Sequence, residues 1–267
     1  MQLRDKAVVV TGGGSGIGRQ LVLALLARHA RVAAVDIRQE NLDETASLAA
    51  GGDRLATYRA DVTDRDVIQA LPESVIGTMG HVDGIISNAG IIQPFVKLNA
   101  LEYDAIDRVI DVNLYGTIHL VKAFLPHLLD RPEAHIANVS SMGGFLPVPG
   151  QTVYGATKAA VKLLTEGLYA ELLDTKVGVS VIFPGAVATD IAAHSGIDIA
   201  AAADSGEGSG YRTTSPEDAA RIILDGIEDD QFHIYVGRDS RMMNLLNRAA
   251  PRRATHLIYR QMKDLLA

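Results

Sequence analysis

Lys6-Ala-Val-Val-Val-Thr-Gly-Gly-Gly-Ser-Gly-Ile-Gly18 joins a β-branched run to five glycines within seven positions. Val8, Val9 and Val10 predict a buried strand. From Ile17 to Arg28 the apolar residues recur at helical spacing. Glycines at a strand–helix junction let the backbone turn sharply and approach a ligand closely. The helix that follows offers unpaired N–H groups and the positive end of its dipole to an anion. The spacing is not G-x-G-x-x-G, because the sixth position from Gly12 is Ile17 and from Gly14 is Arg19. It is Gly12-x-x-x-Gly16-x-Gly18.

The same alternation continues downstream. Strands are predicted over Arg31–Asp36, Leu55–Ala60, Asp83–Ser87, Ala134–Ser140, Gly178–Phe183 and Phe232–Val236. Helices are predicted over Asn41–Ala50, Asp64–Met79, Ala100–Leu129 with a break near Asp111–Asn113, Val153–Leu173, and Ser215–Glu228. Ser215-Pro216-Glu217 supplies a cap and a proline at the first helical position. Strand–helix alternation predicts an α/β fold: a doubly wound, mostly parallel sheet of about seven strands with right-handed crossovers. No stretch is rich enough in Gly, Ser or Pro to divide the chain. Residues 1–237 therefore read as one domain, and 238–267 as a basic helical extension.

Composition removes several function classes. The 267 residues are 48% hydrophobic and 21% charged, as in ordinary globular chains. The most apolar runs, Ala7–Val10 and Leu21–Ala27, are too short to span a bilayer. Met1-Gln-Leu-Arg-Asp-Lys6 lacks the apolar core of a signal peptide, so a cytoplasmic location is expected. With no cysteine, the chain has neither disulfides nor thiolate chemistry. A net charge of −7 and the lack of tryptophan argue against nucleic acid as the ligand.

The candidate ligand contacts lie at predicted strand ends. Asp36 stands twenty residues after Gly16 and can accept from both ribose hydroxyls of an adenosine, which favours NAD over NADP. Nearby Arg38 points the other way. Asp61-Val62 ends the third strand and can flank an adenine, and Asn88-Ala89-Gly90 gives a second close backbone approach. Tyr154 and Lys158 are four apart on a helix and share a face. A nearby ammonium favours phenolate and would bring the tyrosine towards the working range of a general acid or base. Tyr/Lys pairs at this spacing also occur on solvated helix faces.

These motifs, in this order, resemble the single-domain branch of the short-chain dehydrogenase/reductase family, over roughly Leu3 to Val236. The motifs are Thr11-Gly12-x-x-x-Gly16-x-Gly18, Asp61, Asn88-Ala89-Gly90, Asn113, Ser141, Tyr154-x-x-x-Lys158, and Pro184-Gly185 with Thr189. The resemblance implies a Rossmann-like fold and hydride transfer between a nicotinamide and a secondary alcohol or ketone. It implies Tyr154 as general acid/base, Ser141 orienting the reacting oxygen, Lys158 holding the nicotinamide ribose, and Asn113 holding a water that links Lys158 to solvent. The family's thirteen-residue gap to the tyrosine selects Ser141 over Ser140. The implied cofactor contacts are Gly12, Gly14, Ser15, Gly16, Ile17 and Gly18 in the turn. Asp36, Ile37, Asp61, Val62, Asn88, Ala89 and Gly90 follow at the strand ends. Tyr154, Lys158, Pro184, Gly185, Val187 and Thr189 complete the set. It also implies a homodimer or homotetramer formed through the helices carrying Asn113 and Tyr154. Two positions depart from the family: His29 stands where glycine often ends the first helix, and Ser87 where a first asparagine is common.

Other signals are weaker. The eight histidines form neither H-x-x-x-H nor H-E-x-x-H, so no metal site is expected. No G-x-S-x-G elbow surrounds Ser141, which disfavours a hydrolase. The segment 190–214 is small and Gly/Ala/Ser-rich and is expected to be mobile without ligand, and the family resemblance implies that it covers the substrate. Phe145, Leu146 and Val148 are expected to make an apolar substrate wall. The extension is expected to pack on the body or a partner subunit rather than contact a membrane, because its basic residues show no single face in the sequence. Same-fold epimerisation or dehydration, and non-catalytic nucleotide binding, are the competing functions.

Overall fold

The computed structural model describes residues 1–188, 191, 195, 213–263 and 266. Seven parallel strands form one sheet: β1 (Ala7–Thr11), β2 (Arg31–Asp36), β3 (Leu55–Arg59), β4 (Gly84–Ser87), β5 (Ala134–Val139), β6 (Val177–Pro184) and β7 (His233–Val236). Their order is β3-β2-β1-β4-β5-β6-β7. The helices are α1 (Gly16–Ala27), α2 (Gln39–Ala49), α3 (Arg65–Met79), α4 (Tyr103–Ile110), α5 (Gly116–Leu129), α6 (Thr152–Glu171), α7 (Pro216–Glu228), α8 (Arg238–Ala249) and α9 (Pro251–Met262).

Successive side chains of a strand point to opposite faces, and β1 shows the consequence. Val8 and Val10 pack against Leu21 and Leu25 of α1 and Ile223 of α7. Ala7 and Val9 join the opposite core with Ile68 of α3 and Phe124 of α5. Both faces are covered, which explains why β1 is wholly apolar up to Thr11 rather than alternating.

Local signals set the helix ends. His29 takes φ +64 and closes α1, so it occupies the left-handed position where glycine is common. Ser215 Oγ accepts from Asp218 N at 3.1 Å ahead of Pro216. The expected break in the long helical stretch is a single π turn, Asp111–Tyr115, between α4 and α5. The helices α8 and α9 pack onto the body. Met243, Ala254 and Ile258 bury with Leu146, and Ser240 Oγ donates to Phe183 O at 2.8 Å.

Two expectations fall outside the description. Thr189 and the expected mobility of 190–214 lie outside the described residues, apart from residues 191, 195, 213 and 214.

Candidate active site

The strand order reverses between β1 and β4, and such a reversal opens a crevice at the C-terminal ends of the strands. A cavity of about 640 Å³ occupies it. Gly12, Ser15, Gly16 and Ile17 of the turn line it, with Asp36, Ile37 and Arg38 after β2. Asp61 and Val62 after β3, and Asn88, Ala89 and Gly90 after β4, complete the wall. Two of the other three glycines of the turn, Gly14 and Gly18, act behind it. Gly14 N donates to Asp36 Oδ2 at 3.0 Å. A Cβ on Gly18 would lie 1.9 Å from Gly12 O, so only glycine lets α1 start this close to the turn. Gly12 itself has φ +66.

Asp36 is buried at the end of β2. Its second oxygen accepts from Arg38 N at 3.0 Å. A carboxylate has about four lone-pair sites, so two backbone bonds fix the group and leave acceptor capacity towards the cavity. The carbonyls of the turn are taken from behind. Thr45 Oγ1 donates to Gly13 O at 3.1 Å, and Arg19 Nη2 to Gly14 O at 2.6 Å. Glu44 in turn pairs with Arg19 at 2.6 Å. Sequence reading missed Arg19 and Thr45; the only signal was their position on helices flanking the turn. Asn88 is committed to the framework: its side chain donates to Thr11 O at 3.0 Å, while Thr11 Oγ1 accepts from Asn88 N and Ala89 N. Asp61 Oδ1 is held by Thr63, through its N–H at 2.9 Å and hydroxyl at 2.8 Å.

Ser141, Tyr154 and Lys158 converge where β5 meets the first turns of α6. A side chain on Gly143 would touch both Tyr154 Cε1 at 3.3 Å and Ser141 Oγ at 3.4 Å, so that glycine keeps the two hydroxyl-bearing residues together. Ser140 is turned away, donating to Lys158 O at 2.7 Å. Lys158 is buried, and its Nζ donates to Val139 O at 3.0 Å. Burial pushes its pKa down to about 8. Burial also holds the Tyr154 phenol above its usual value, and a hydrogen bond with Ser141 opposes that rise. The expected lowering by Lys158 is therefore not present in the protein chain by itself. The ammonium lies 6.0 Å from the ring centroid and is itself desolvated, so burial outweighs the charge.

Gly90 makes room for the inner end of this cluster. A Cβ there would lie 3.1 Å from Lys158 Nζ and 3.2 Å from Asn113 Oδ1. Asn113 is fully buried in the π turn. Its side chain accepts from Ile91 N and donates to Ile91 O, both at 2.9 Å, and donates to Thr157 Oγ1 at 3.2 Å. The amide thus ties the β4 loop to α5 and α6. Gln93, which sequence reading missed, performs the companion task. Its Oε1 accepts from Val153 N at 2.8 Å and Tyr154 N at 2.9 Å, and its Nε2 donates to Gly150 O at 2.9 Å. It caps α6 from a distant loop, because Gln151 provides no side-chain cap of its own. A glutamine in a loop carries no sequence mark of that role.

On the far side, Pro184 ends β6 and Val187 bridges to Thr214. Asp239 of α8 lies against Gly185, where a Cβ would meet its carboxylate at 2.3 Å, and accepts from Ala186 N at 2.8 Å. The expected apolar wall is only partly realised. Leu146 turns under α8 and α9 and is fully buried, and Phe145 packs edge-on against Phe183 at 5.5 Å. Val148 is left, in a groove of about 360 Å³ with Pro147, Pro149 and Tyr259.

Comparisons with known proteins show the family. Residues 6–199 match the family described as short chain dehydrogenase. SadH of Mycobacterium tuberculosis, named as an oxidoreductase, is 35% identical over 254 residues, covering 91% of this chain and 90% of that protein. A short-chain dehydrogenase/reductase from Burkholderia phymatum, solved with NAD, superposes with a TM-score of 0.86 at 26% identity, covering 94% and 96% of the two chains. A serine dehydrogenase solved with NADP+ gives a TM-score of 0.76 at 27% identity, covering 86% and 93%. The chain is an oxidoreductase-type protein of the short-chain dehydrogenase family.

Proposed function

We infer that the protein transfers hydride between NAD(H) and the carbinol or carbonyl carbon of an apolar secondary alcohol or ketone. The observation that carries this reading is the meeting of Ser141, Tyr154 and Lys158 beside the glycine-lined crevice.

The residues fit a dinucleotide. Gly12 and Gly18 leave a cradle that any Cβ would fill, and the start of α1 presents unpaired N–H groups to a pyrophosphate. Asp36 would accept from the adenosine ribose, and its fixed negative charge would disfavour a 2′-phosphate, which supports NAD over NADP. Lys158 would hold the nicotinamide ribose, and Pro184, Gly185, Val187 and Thr189 would lie along the nicotinamide. When bound, NAD supplies the hydride acceptor.

The chain's own residues handle the proton. Tyr154 gives or takes it at the substrate oxygen, and Ser141 orients that oxygen by hydrogen bonding. A phenol above its ordinary pKa needs more positive charge near it to work at neutral pH than Lys158, 6.0 Å from its ring centroid, supplies in the protein chain by itself. Asn113, fixed against Ile91, keeps the route from Lys158 to water open. Pro147, Val148 and Pro149, on the segment between Ser141 and Tyr154, support an apolar substrate. Exposed Leu163 and Leu164 on α6, Leu173 just beyond its end, and Tyr115 support a homodimer or homotetramer through that face. A cytoplasmic enzyme with a catalytic body over 1–237 and a helical extension over 238–267 completes the reading.

A panel of secondary alcohols and ketones, followed by nicotinamide absorbance with NAD(H) and NADP(H), tests it. Turnover is expected with NAD(H), and Tyr154→Phe is expected to lower it by roughly 10²–10⁴-fold while NADH still binds. Product formation with no net cofactor change would instead indicate epimerisation or dehydration. Turnover of Tyr154→Phe near the wild-type rate would remove the assignment of the proton to Tyr154.

A further inference from the structure

The C-terminal helices sort their side chains more sharply than the sequence suggests. Residues 238–267 hold seven Arg or Lys and two Asp, a net +5 in a chain of −7, so residues 1–237 carry −12. The packing defines an inner face on each helix. In α9 it is Ala254, Ile258 and Met262, which sit with Leu146 and Met243. At 100° per residue, the face opposite these three collects Arg252, Arg253, Arg260 and Lys263, all exposed. In α8 the inner face is Ser240 and Met243, and the opposite one centres on Leu245 with Arg241 and Arg248 beside it.

None of these cations has an acidic partner within ion-pairing distance among the described residues, although other arginines of the chain are paired (Arg28 with Asp225 and Glu228, Arg131 with Asp83). Apolar side chains stand among them: Leu245 is 70% exposed and Tyr259 49% exposed. Unpaired cations repel one another and gain energy from a surface of opposite charge. Exposed leucine and tyrosine gain only from an apolar or interfacial phase. A polyanion such as nucleic acid would use the first group and leave the second in water. An anionic bilayer uses both: lipid headgroups take the cations and the acyl boundary takes Leu245 and Tyr259. No helix among the described residues is long and apolar enough to cross a membrane, so the contact is peripheral.

We propose that the outward faces of α8 and α9 form a docking surface for an anionic lipid membrane. The inference does not depend on the substrate or cofactor assigned above. The test is co-sedimentation of the full chain with phosphatidylcholine vesicles prepared with and without phosphatidylglycerol. Binding is expected with the anionic vesicles only, and high salt is expected to release it. The double variant Arg253→Gln/Arg260→Gln removes two exposed charges outside the catalytic machinery. It is expected to remain folded by circular dichroism, keep turnover in solution, and bind anionic vesicles roughly 30-fold more weakly. Leu245→Ser is expected to weaken binding to the anionic vesicles at low salt, where wild type binds.

Three results would overturn the proposal. One is equal binding to both vesicle types, or to neither. Another is undiminished binding by the double variant. The third is heparin binding, or self-association sensitive to the double variant, without vesicle binding; these would assign the face to a soluble polyanion or to the acidic body of a second copy.

Discussion

Gln93 Oε1 accepts from Tyr154 N at 2.9 Å, so a residue of the loop after β4 holds the first turn of the helix that carries the tyrosine and lysine. Gln93 is fully buried, and its own carbonyl accepts from Gln151 Nε2 at 2.6 Å. Loop 90–93 is therefore clamped twice, by Asn113 at Ile91 and by α6 at Gln93. The loop that lines the crevice is thereby tied to the helix that carries Tyr154 and Lys158.

Gln93→Leu leaves the partly buried N–H groups of Val153 and Tyr154 without this partner. Each costs about 1–3 kcal/mol, so a clear fall in the urea midpoint is expected together with a lower kcat. NADH affinity should change little. Gln93→Glu separates positioning from mere packing. It keeps the acceptor but places a negative charge beside Tyr154, and the pH–rate profile should shift to higher pH. A profile identical to wild type would leave Gln93 with a structural role only.

Lys158 is held against its preference. Its pKa falls from 10.5 unfolded to about 8 folded, through burial. Between those values the unfolded state binds the extra proton, so stability rises with pH there, and the cost of the buried charge is fully present below about pH 8. That cost is on the order of 3 kcal/mol. Lys158→Met also leaves the buried Val139 O without this partner, which costs about 1–3 kcal/mol. A net gain of up to roughly 2 kcal/mol is expected at neutral pH, with loss of turnover. Urea unfolding should show the gain shrinking as pH rises through the 8 to 10.5 window.

Asp239 links the C-terminal extension to the turn after β6. Removing its carboxylate frees Ala186 N and empties the space against Gly185 and Gly237. Asp239→Ala is expected to weaken NADH binding by about tenfold, near 1.4 kcal/mol, and to lower Tm. Asp239→Asn retains an acceptor and should recover most of the affinity. Calorimetric titration of both variants decides the matter, and equal affinities for wild type and Asp239→Ala would disconnect the extension from the cofactor.

His135 governs part of the acid response. It is buried at the start of β5, with Nε2 at 2.9 Å from Ser180 Oγ, and burial lowers its pKa from 6.5 to about 3. Asp230 Oδ1 lies 3.6 Å from Nδ1, but Asp230 is 70% exposed, so solvent screens its charge and desolvation prevails. The unfolded chain binds this proton first, so stability is lost as pH drops below 6.5 towards 3. Between neutral pH and about pH 4.5 the loss is roughly 2–3 kcal/mol. His135→Gln should lose correspondingly less over that interval, measured as urea midpoints at the two pH values.

The sequence by itself determined the sheet and most of the crevice. Strand identity in a doubly covered sheet depends on continuous apolar runs such as Ala7–Val10, and the turn depends on glycines whose need is local. His29 and Ser215 show the same: a left-handed helix end and a side-chain cap are decided within a few residues. What only the tertiary structure decided involves partners far apart in the chain. Gln93 caps a helix some sixty residues away, Asp239 braces a turn more than fifty residues earlier, and Leu146 packs under α8 and α9 instead of facing substrate. The balance at Tyr154 belongs to the same class. A four-residue spacing puts Lys158 on the same face, but only packing sets how deeply both are buried, and burial decides which way the phenol's pKa moves.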